Sequence, residues 1–140
     1  MSVSVRQAQE FDVLVLEELF HSFSEWDLER AESIQKAVKD PNGELLVAEL
    51  KGSVIAFLHQ VFYNDPLHAG LCSTITNLFV RKEYRRSGIA LELLRRALES
   101  AKRRNVKEVH VTTRKNNTDA LRLYLKSGFR EEGILLEFNP

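Results

Sequence analysis

The spacing of apolar residues divides the chain into segments with two different periods. A period of two, which is typical of strands, predicts strands over 3–6, 45–50, 54–63, 73–80, 106–113 and 134–138. A period near 3.6 predicts helices over 11–20, 28–39, 88–105 and 117–127. Lys51-Gly52-Ser53 joins two strand-like runs and favours a hairpin. The predicted order is β-α-α-β-β-β-α-β-α-β.

Two of the predicted helices have a defined apolar face. The stripe of the first consists of Leu14, Val15, Leu19 and Phe20, and that of the long helix of Ala90, Leu94, Ala97, Leu98 and Ala101. The strand, long helix and strand at the centre imply a right-handed parallel crossover between antiparallel pairs. The predicted fold class is therefore α/β (α+β): a mixed, mostly antiparallel sheet with helices on both faces, in one domain over 1–140.

Composition and charge exclude several classes of function. The 140 residues are 44% apolar and 29% charged, and the 20 acidic and 20 basic residues cancel. This balance gives no electrostatic argument for a nucleic-acid partner or an anionic membrane. Cys72 is the single cysteine, so we expect no intramolecular disulfide and no cysteine-based metal site. Residues 1–6 lack an apolar signal core, and the sequence predicts a soluble, cytoplasmic protein without a metal.

The segment after the strand 73–80 is a candidate anion site. Its basic residues precede Gly88, where the long helix is predicted to begin, and they are Arg81, Lys82, Arg85 and Arg86. The unpaired amides and the positive dipole end of a helix start favour phosphate groups, and glycine allows a close approach. The spaced glycines of a dinucleotide site and the Gly-Lys-Ser/Thr of a P-loop do not occur. A solvated basic loop is the alternative.

This segment resembles a motif of the GNAT superfamily of N-acetyltransferases. Arg85-Arg86-Ser87-Gly88-Ile89-Ala90 is similar to Gln/Arg-x-x-Gly-x-Gly/Ala, and Leu78-Phe79-Val80 resembles the Leu-x-Val that precedes it. The second block of the family, Asn-x-x-Ala-x-x-x-Tyr-x-x-x-Gly-Phe, is matched by Asn117, Ala120, Tyr124, Gly128 and Phe129. The resemblance implies the family's fold and acetyl transfer from acetyl-CoA.

The resemblance also implies which residues hold acetyl-CoA. The amides of residues 86–90 would hold the pyrophosphate, and the backbone of Phe79 and Val80 would pair with the pantetheine arm. The Val80 amide would polarise the thioester carbonyl, and Asn117 would contact the arm from the other side. The complete set implied for the cofactor is Leu78, Phe79, Val80, Arg85, Arg86, Ser87, Gly88, Ile89, Ala90, Asn117 and Tyr124.

Tyr124 and His110 are the candidate catalytic residues. Tyr124 matches the family tyrosine that assists the departing thiolate; the alternative is that it only fills an apolar helix face. Tyrosine has a pKa of about 10 and a thiol one of about 8.5, so a strengthening hydrogen bond is expected rather than full proton donation. Asn77 stands where many relatives carry a glutamate base and cannot accept a proton. His110, His59 or a water chain are the alternatives for that role.

The acceptor site is predicted from Glu25, Trp26 and Asp27, together with His59 and Asn77. Two carboxylates around an indole suit a cationic amine; alternatively, Asp27 caps the second helix and Trp26 packs on the core. The predicted function is acetyl transfer to a primary amine of a small molecule or protein. A non-catalytic acyl-CoA-binding or sensing module is the alternative. The short segment after Phe129 allows a homodimer that completes the sheet.

Overall fold

The computed structural model describes residues 2–140, which form one compact unit that ends at His110 and a second that begins at Val111. The strands are β1 (Ser4–Gln7), β2 (Gly43–Leu50), β3 (Ser53–Asp65), β4 (Gly70–Val80) and β5 (Val109–Val111). The helices are α1 (Val13–Phe23), α2 (Ala31–Lys39), α3 (Ile89–Arg103) and α4 (Thr118–Lys126).

The five strands form one sheet in the order of the chain, β1-β2-β3-β4-β5. Strands β1 to β4 pair antiparallel, and β5 runs parallel to β4 after the crossover through α3. The mixed, mostly antiparallel sheet predicted from the sequence is confirmed. A two-residue turn links β2 to β3, with Lys51 at φ 49° and Gly52 at φ 83°. Glycine adopts this left-handed conformation at little cost, which explains the hairpin.

A β-bulge interrupts the ladder between β3 and β4. The pairs run from Ala56 opposite Val80 to His59 opposite Asn77, and they resume with Gln60 opposite Ile75. Thr76 is therefore an extra residue without a partner across the ladder. A bulge of this kind bends the strand and re-aims the neighbouring side chains. It sits within β4, ahead of the basic turn.

Helices α1 and α2 cover one face of the sheet with an apolar core. Phe57 is fully buried, and its ring centroid lies 4.2 Å from that of Phe20 and 5.9 Å from that of Phe79. Burial of a side chain of this size contributes about 1.5–3 kcal/mol. The buried members of this core are Ala8, Leu16, Leu19, Ile34, Leu45, Val47, Val54, Phe57 and Phe79.

Helix α3 covers the opposite face, and its contact with the sheet contains buried polar groups. Gln60 is fully buried; its Nε2 donates to the Ala97 carbonyl of α3 (3.1 Å), and its Oε1 accepts from Ser73 Oγ (2.8 Å). Glu44 Oε2 accepts from Ser100 Oγ at 2.7 Å. Because buried polar groups are costly unless they are paired, these bonds fix the position of α3 on the sheet.

The structure corrects three predictions about these elements. No strand forms over 134–138, where Ile134 and Phe138 are 87% and 85% exposed; the run Ile-Leu-Leu-Glu-Phe does not alternate strictly, and no strand among residues 2–140 pairs with it. In α1, Leu14 is exposed and Leu16 takes its place in the buried stripe, while Val15, Leu19 and Phe20 pack on the core as predicted. Helix α2 begins at Ala31 rather than at residue 28.

The start of α2 is capped from α1 rather than by Asp27. Glu17 Oε2 accepts hydrogen bonds from the backbone amides of Arg30 (3.0 Å) and Ala31 (2.9 Å). A carboxylate at this end also complements the helix dipole. Over residues 2–140, no helix combines the length and apolar character that a membrane crossing needs.

Candidate functional site

The turn between β4 and α3 is shaped by two left-handed residues. Arg86 has φ 62° and Gly88, the N-cap of α3, has φ 85°. No atom lies within 4 Å of the position that a Cβ on Gly88 would occupy. The first-turn amides of a helix lack partners within the helix, and Gly88 has no side chain with which to cap them. The turn therefore presents free N–H groups beside open space.

Positive charge surrounds this turn. Lys82, Arg85 and Arg86 are exposed, and among residues 2–140 none of the three pairs with a carboxylate. Arg81, by contrast, forms a salt bridge with Glu18 of α1 at 3.2 Å. The free amides, the helix dipole and the three unpaired cations favour an anion.

Arg85 closes the turn onto β4. Its Nε donates to the Val80 carbonyl at 3.0 Å, and its guanidinium lies 5.6 Å from the centroid of the Phe79 ring. Arg85 therefore has a structural role in addition to its predicted cofactor contact. Its side chain fixes the end of β4 relative to Gly88. A guanidinium over an aromatic face contributes about 0.5–1 kcal/mol at an exposed site.

The register of β4 determines which of its backbone groups are free. Arg81 N donates to Ile55 O at 2.9 Å, and bonded and non-bonded pairs alternate along an antiparallel ladder. The pairs of Val80 with Ala56 and of Leu78 with Leu58 are therefore non-bonded. The amides of Leu78 and Val80 face away from β3. The Phe79 backbone faces β3 instead, which shifts the predicted pairing with a ligand from Phe79 to Leu78.

Strand β5 is too short to cover this side of β4. Ser73 N donates to Glu108 O (3.0 Å) and Lys107 N donates to Leu71 O (2.8 Å), so β5 begins beside the start of β4. Its end at Val111 comes about opposite Ile75 in a parallel pairing. Among the strands of residues 2–140, none pairs with this side of β4 from Thr76 to Val80. We call residues 76–80 the open edge.

His59, Thr76 and Asn77 meet at the bulge. Thr76 Oγ1 lies 2.8 Å from His59 Nδ1 and 3.2 Å from Asn77 Oδ1. His59 Nε2 is buried and has no hydrogen-bond partner among the described residues. Burial lowers the pKa of His59 below its usual value, an effect that the charge of Asp40 partly opposes. The imidazole is therefore neutral at neutral pH. The sequence indicated His59 and Asn77 but gave no signal for Thr76.

His110 lies at the other end of this face, near the start of β4. It is exposed, its Nε2 is 3.1 Å from Glu108 Oε1, and its Nδ1 is 3.4 Å from the Tyr63 hydroxyl. Both ring nitrogens therefore have partners. Its strand β5 ends before the open edge, so the geometry favours His59 over His110 as a proton acceptor near Leu78.

His68 is held between two carboxylates beside Cys72. Its Nδ1 lies 2.5 Å from Asp65 Oδ2, and its Nε2 contacts Glu108. The hydrogen bond with Asp65 raises the pKa of His68, and the Glu108 charge adds to this. Asp65, His68 and Cys72 lie close enough to ligate a metal. An imidazolium that donates from both nitrogens has no lone pair for a metal. We call Asp65, His68 and Glu108 the ion-paired corner.

Residues Asn117, Tyr124, Gly128 and Phe129 lie on helix α4 and at its two ends. Asn117 is the N-cap, and its Oδ1 accepts from Ala120 N at 3.2 Å. At the other end, Phe129 N donates to Tyr124 O (3.0 Å) and Gly128 N to Leu125 O (3.2 Å). With Gly128 at φ 102°, these bonds form a Schellman motif. The left-handed cap predicted at Gly128 is confirmed.

Tyr124 is 7% exposed, and burial raises its pKa above the usual value near 10. The phenol therefore stays protonated throughout the neutral range and can act as a hydrogen-bond donor. Its ring lies 5.7 Å from the ring of Phe129, with an interplanar angle of 68°. This edge-to-face contact fixes one side of the ring.

The segment Glu25-Trp26-Asp27 lies on the surface between α1 and α2. Trp26 is 66% exposed, so it does not pack on the core, and Glu25 and Asp27 are exposed as well. Arg30 Nη2 donates to the Trp26 carbonyl at 2.8 Å, and Trp26 N donates to Ser24 Oγ at 3.0 Å. These two bonds order a segment whose side chains are free to meet a ligand.

The model of the acetyltransferase (GNAT) family matches residues 10–129. GCN5-related N-acetyltransferase 6, chloroplastic, from Arabidopsis thaliana is 50% identical over 56 residues, which are 40% of this chain and 19% of that protein. An N-alpha-acetyltransferase from Sulfurisphaera tokodaii is 29% identical over 108 residues, which are 72% of this chain and 65% of that one.

The matches thus span less than two thirds of the length of these curated relatives. Among solved structures, a transcriptional regulator from Bacillus halodurans C-125 superposes with a TM-score of 0.85. It is 27% identical, and the alignment covers 98% of this chain and all of that one. The fold described above is shared with that protein over its whole length.

Proposed function

The chain belongs to the GNAT acetyltransferase family, and we propose that it is an acetyltransferase that moves an acetyl group from acetyl-CoA to a primary amine. The observation that carries the proposal is the position of the open edge of β4, which leads directly into the free amides at the start of α3. An extended ligand with an anionic end fits both features: its arm pairs with a strand edge and its phosphates meet a helix start.

The turn at Gly88 fits the pyrophosphate of coenzyme A. A Cβ at this position would point into open space, so the backbone is accessible to a ligand. The amides of Arg86, Ser87, Gly88, Ile89 and Ala90 are proposed to donate to phosphate oxygens, and the exposed cations add long-range attraction. Bound acetyl-CoA supplies an activated thioester whose thiolate leaves as the acetyl group moves.

The open edge is proposed to align the pantetheine arm. The Leu78 and Val80 amides face away from β3, and the Val80 carbonyl already accepts from Arg85. Either amide is a candidate donor to the thioester oxygen, and a donor of this type is fixed before the reaction begins. Because the strand that carries these amides is held by its ladder with β3, their orientation is fixed before transfer begins.

Tyr124 and Asn117 are proposed to act as their match with the family motif implies. The protonated Tyr124 phenol donates a hydrogen bond that strengthens on the departing thiolate. Asn117 uses its Oδ1 as the cap of α4, which leaves its side-chain N–H groups for a ligand. Each role is a single polar contact, so each is removable by one conservative substitution.

The acceptor is proposed to be a cationic amine on a small molecule or a protein. Its positive charge is matched by Glu25 and Asp27, and the exposed Trp26 indole between them offers a face for a cation–π contact. His59 and Asn77 on the sheet face are the other proposed contacts. The Sulfurisphaera relative, described as an N-alpha-acetyltransferase, makes a peptide amino terminus a suitable first acceptor to assay.

Two measurements test the proposal. Calorimetric titration with acetyl-CoA should show binding with micromolar affinity, and release of the free thiol should then depend on an added amine. Binding without transfer to any of a broad set of amines would favour the acyl-CoA-sensing alternative, and absence of binding would overturn the cofactor assignment. The cytoplasmic location and the homodimer stay predictions.

A further inference from the structure

The bulge in β4 creates a polar pair that the family motifs do not explain. His59 pairs with Asn77 across the ladder and Gln60 pairs with Ile75, so Thr76 is the extra residue between the two pairs. The extra residue Thr76 places a hydroxyl 2.8 Å from His59 Nδ1. Thr76 is exposed, whereas His59 is only partly accessible. The pair thus joins a surface hydroxyl to an imidazole behind it.

The hydrogen bonds of the pair allow a proton relay. If the Thr76 hydroxyl donates to His59 Nδ1, its oxygen keeps lone pairs that can accept a proton from outside. The tautomer then carries its hydrogen on Nε2, which is buried and without a partner among residues 2–140. A ligand cannot reach Nε2, so Nδ1, through Thr76, is the basic nitrogen that communicates with the surface.

The surroundings of His59 keep it neutral and able to accept a proton. From β4 it faces Thr76 and Asn77, from β2 it faces Leu45, and none of these residues titrates. The charged group that acts on it is Asp40, which ends α2 and favours the imidazolium. Burial is the larger effect and keeps the imidazole neutral before the reaction, while the Asp40 charge reduces the cost of protonating it.

The pair also lies beside the acyl-transfer position. Thr76 begins the open edge, and Leu78, whose amide is free, lies two residues further along, or about 7 Å in an extended strand. Asn77, between them, cannot accept a proton. The relay therefore supplies a proton acceptor at the position where the side chain of residue 77 offers none.

This inference rests on the proposed function: we propose that Thr76 and His59 form the proton relay that deprotonates the attacking amine. As the nitrogen forms its bond to the acetyl carbon, it becomes a far stronger acid. Its proton passes to Thr76 Oγ1 while the hydroxyl proton passes to His59 Nδ1. The carbon–sulfur bond breaks, coenzyme A leaves as the thiolate, and His59 later returns the proton to solvent.

The test is the pH dependence of kcat/KM. Three acceptor amines are tried first, a peptide with a free amino terminus, a lysine analogue and a polyamine, and the measurement uses the one that the protein acetylates. The amine must be unprotonated, which gives a slope of one in log kcat/KM against pH below its own pKa. Because His59 must also be unprotonated to act as the base, the plot of log kcat/KM against pH gains a second unit of slope below the His59 pKa. The wild type should show both slopes.

Four variants separate the relay from a structural role. His59→Gln and Thr76→Val should each lower kcat by ~10²- to 10⁴-fold and leave a slope of one, with coenzyme A affinity unchanged. Thr76→Ser should restore most of the rate, since it keeps the hydroxyl. His21→Gln, which changes an exposed histidine on α1, is the matched control and should keep both slopes.

The outcomes also distinguish this inference from the proposed function. Wild-type protein that transfers no acetyl group contradicts the proposed function itself. Wild-type transfer with a full rate in Thr76→Val, or loss of the steep limb in His110→Gln instead of His59→Gln, overturns the relay. A steep limb that persists in His59→Gln overturns it as well.

Discussion

The ring of Tyr124 packs edge to face against the ring of Phe129, with 5.7 Å between their centroids. In the Schellman motif that ends α4, these residues occupy the two positions that normally make an apolar contact, and Phe129 N donates to the Tyr124 carbonyl. The spacing Tyr-x-x-x-Gly-Phe therefore has a structural cause: Gly128 turns the chain so that Phe129 fixes the tyrosine ring. The Tyr124 hydroxyl, for which a role in transfer is proposed, is thus positioned by the C-terminal cap of α4.

Removal of this hydroxyl should affect transfer and not folding. Tyr124→Phe keeps the ring contact with Phe129 and deletes only the donor. We expect the rate of acetyl transfer to fall by ~10²- to 10⁴-fold, while calorimetric affinity for acetyl-CoA and the thermal midpoint stay at their wild-type values. An unchanged turnover would show that Tyr124 only fills the helix face.

The two left-handed glycines of the first unit form a matched pair for testing the cofactor site. Gly88 and Gly52 have φ values of 85° and 83°, and a Cβ on either would meet open space. Alanine at each should therefore cost a similar ~1 kcal/mol in the free energy of unfolding, measured by urea denaturation. Only Gly88→Ala should weaken binding of acetyl-CoA, and Gly88→Glu should abolish it by steric clash and charge repulsion. Equal cofactor affinity in Gly88→Glu and wild type would rule out this turn as the phosphate site.

The ion-paired corner at His68 should make stability depend on pH. Its folded-state pKa is raised, chiefly by the hydrogen bond with Asp65. Its contribution is therefore complete below the unfolded value of about 6.5 and is lost as the pH rises through the raised folded value. We expect the free energy of unfolding of the wild type to decline across this interval relative to that of His68→Gln.

The carboxylates of the corner act in a separate interval. The pKa values of Asp65 and Glu108 are lowered, so their contribution is lost only as the pH falls well below neutrality. His21→Gln, at an exposed site, should reproduce the wild-type decline. Parallel profiles for wild type and His68→Gln would contradict the assignment.

The buried hydrogen bonds of Gln60 should be measurable as a contribution to stability and as a coupling between Gln60 and Ser73. Gln60→Leu removes the partner of the Ser73 hydroxyl and one donor to the Ala97 carbonyl, both of which are buried. We expect a loss of about 1–3 kcal/mol in the free energy of unfolding. In the double variant Gln60→Leu/Ser73→Ala, much of this loss should be regained, because the orphaned hydroxyl is gone. Additive losses in the double variant would exclude the coupling.

Periodicity predicted the elements that bury a regular face. Helix α3 was predictable because Leu94, Ala97 and Ala101 recur at helical spacing and all three are buried. The run 134–138 was apolar but lacked strict alternation, and composition alone misled the assignment. Leu14 and Leu16 are both apolar, so the sequence left it to packing on Phe57 which of them joins the buried stripe of α1.

The candidate site was predictable where a motif fixes the backbone and unpredictable where tertiary contacts decide. Gly88 and Gly128 were indicated by their positions at helix ends, and both have the left-handed conformation. The bulge at Thr76 adds one residue to a strand without changing its composition, so no local pattern reveals it. The cap of α2 by Glu17 depends on a contact between helices, which sequence spacing does not encode.

The open edge of β4 has a consequence for the protein without its cofactor. Free N–H and C=O groups along a strand are a template for any extended chain, and another molecule of the same protein offers such chains. Bound pantetheine would occupy these groups as a substitute strand and block self-association. We therefore expect cofactor-free protein to aggregate at lower temperature and concentration than the loaded form. The bound cosubstrate would then also keep the protein in solution.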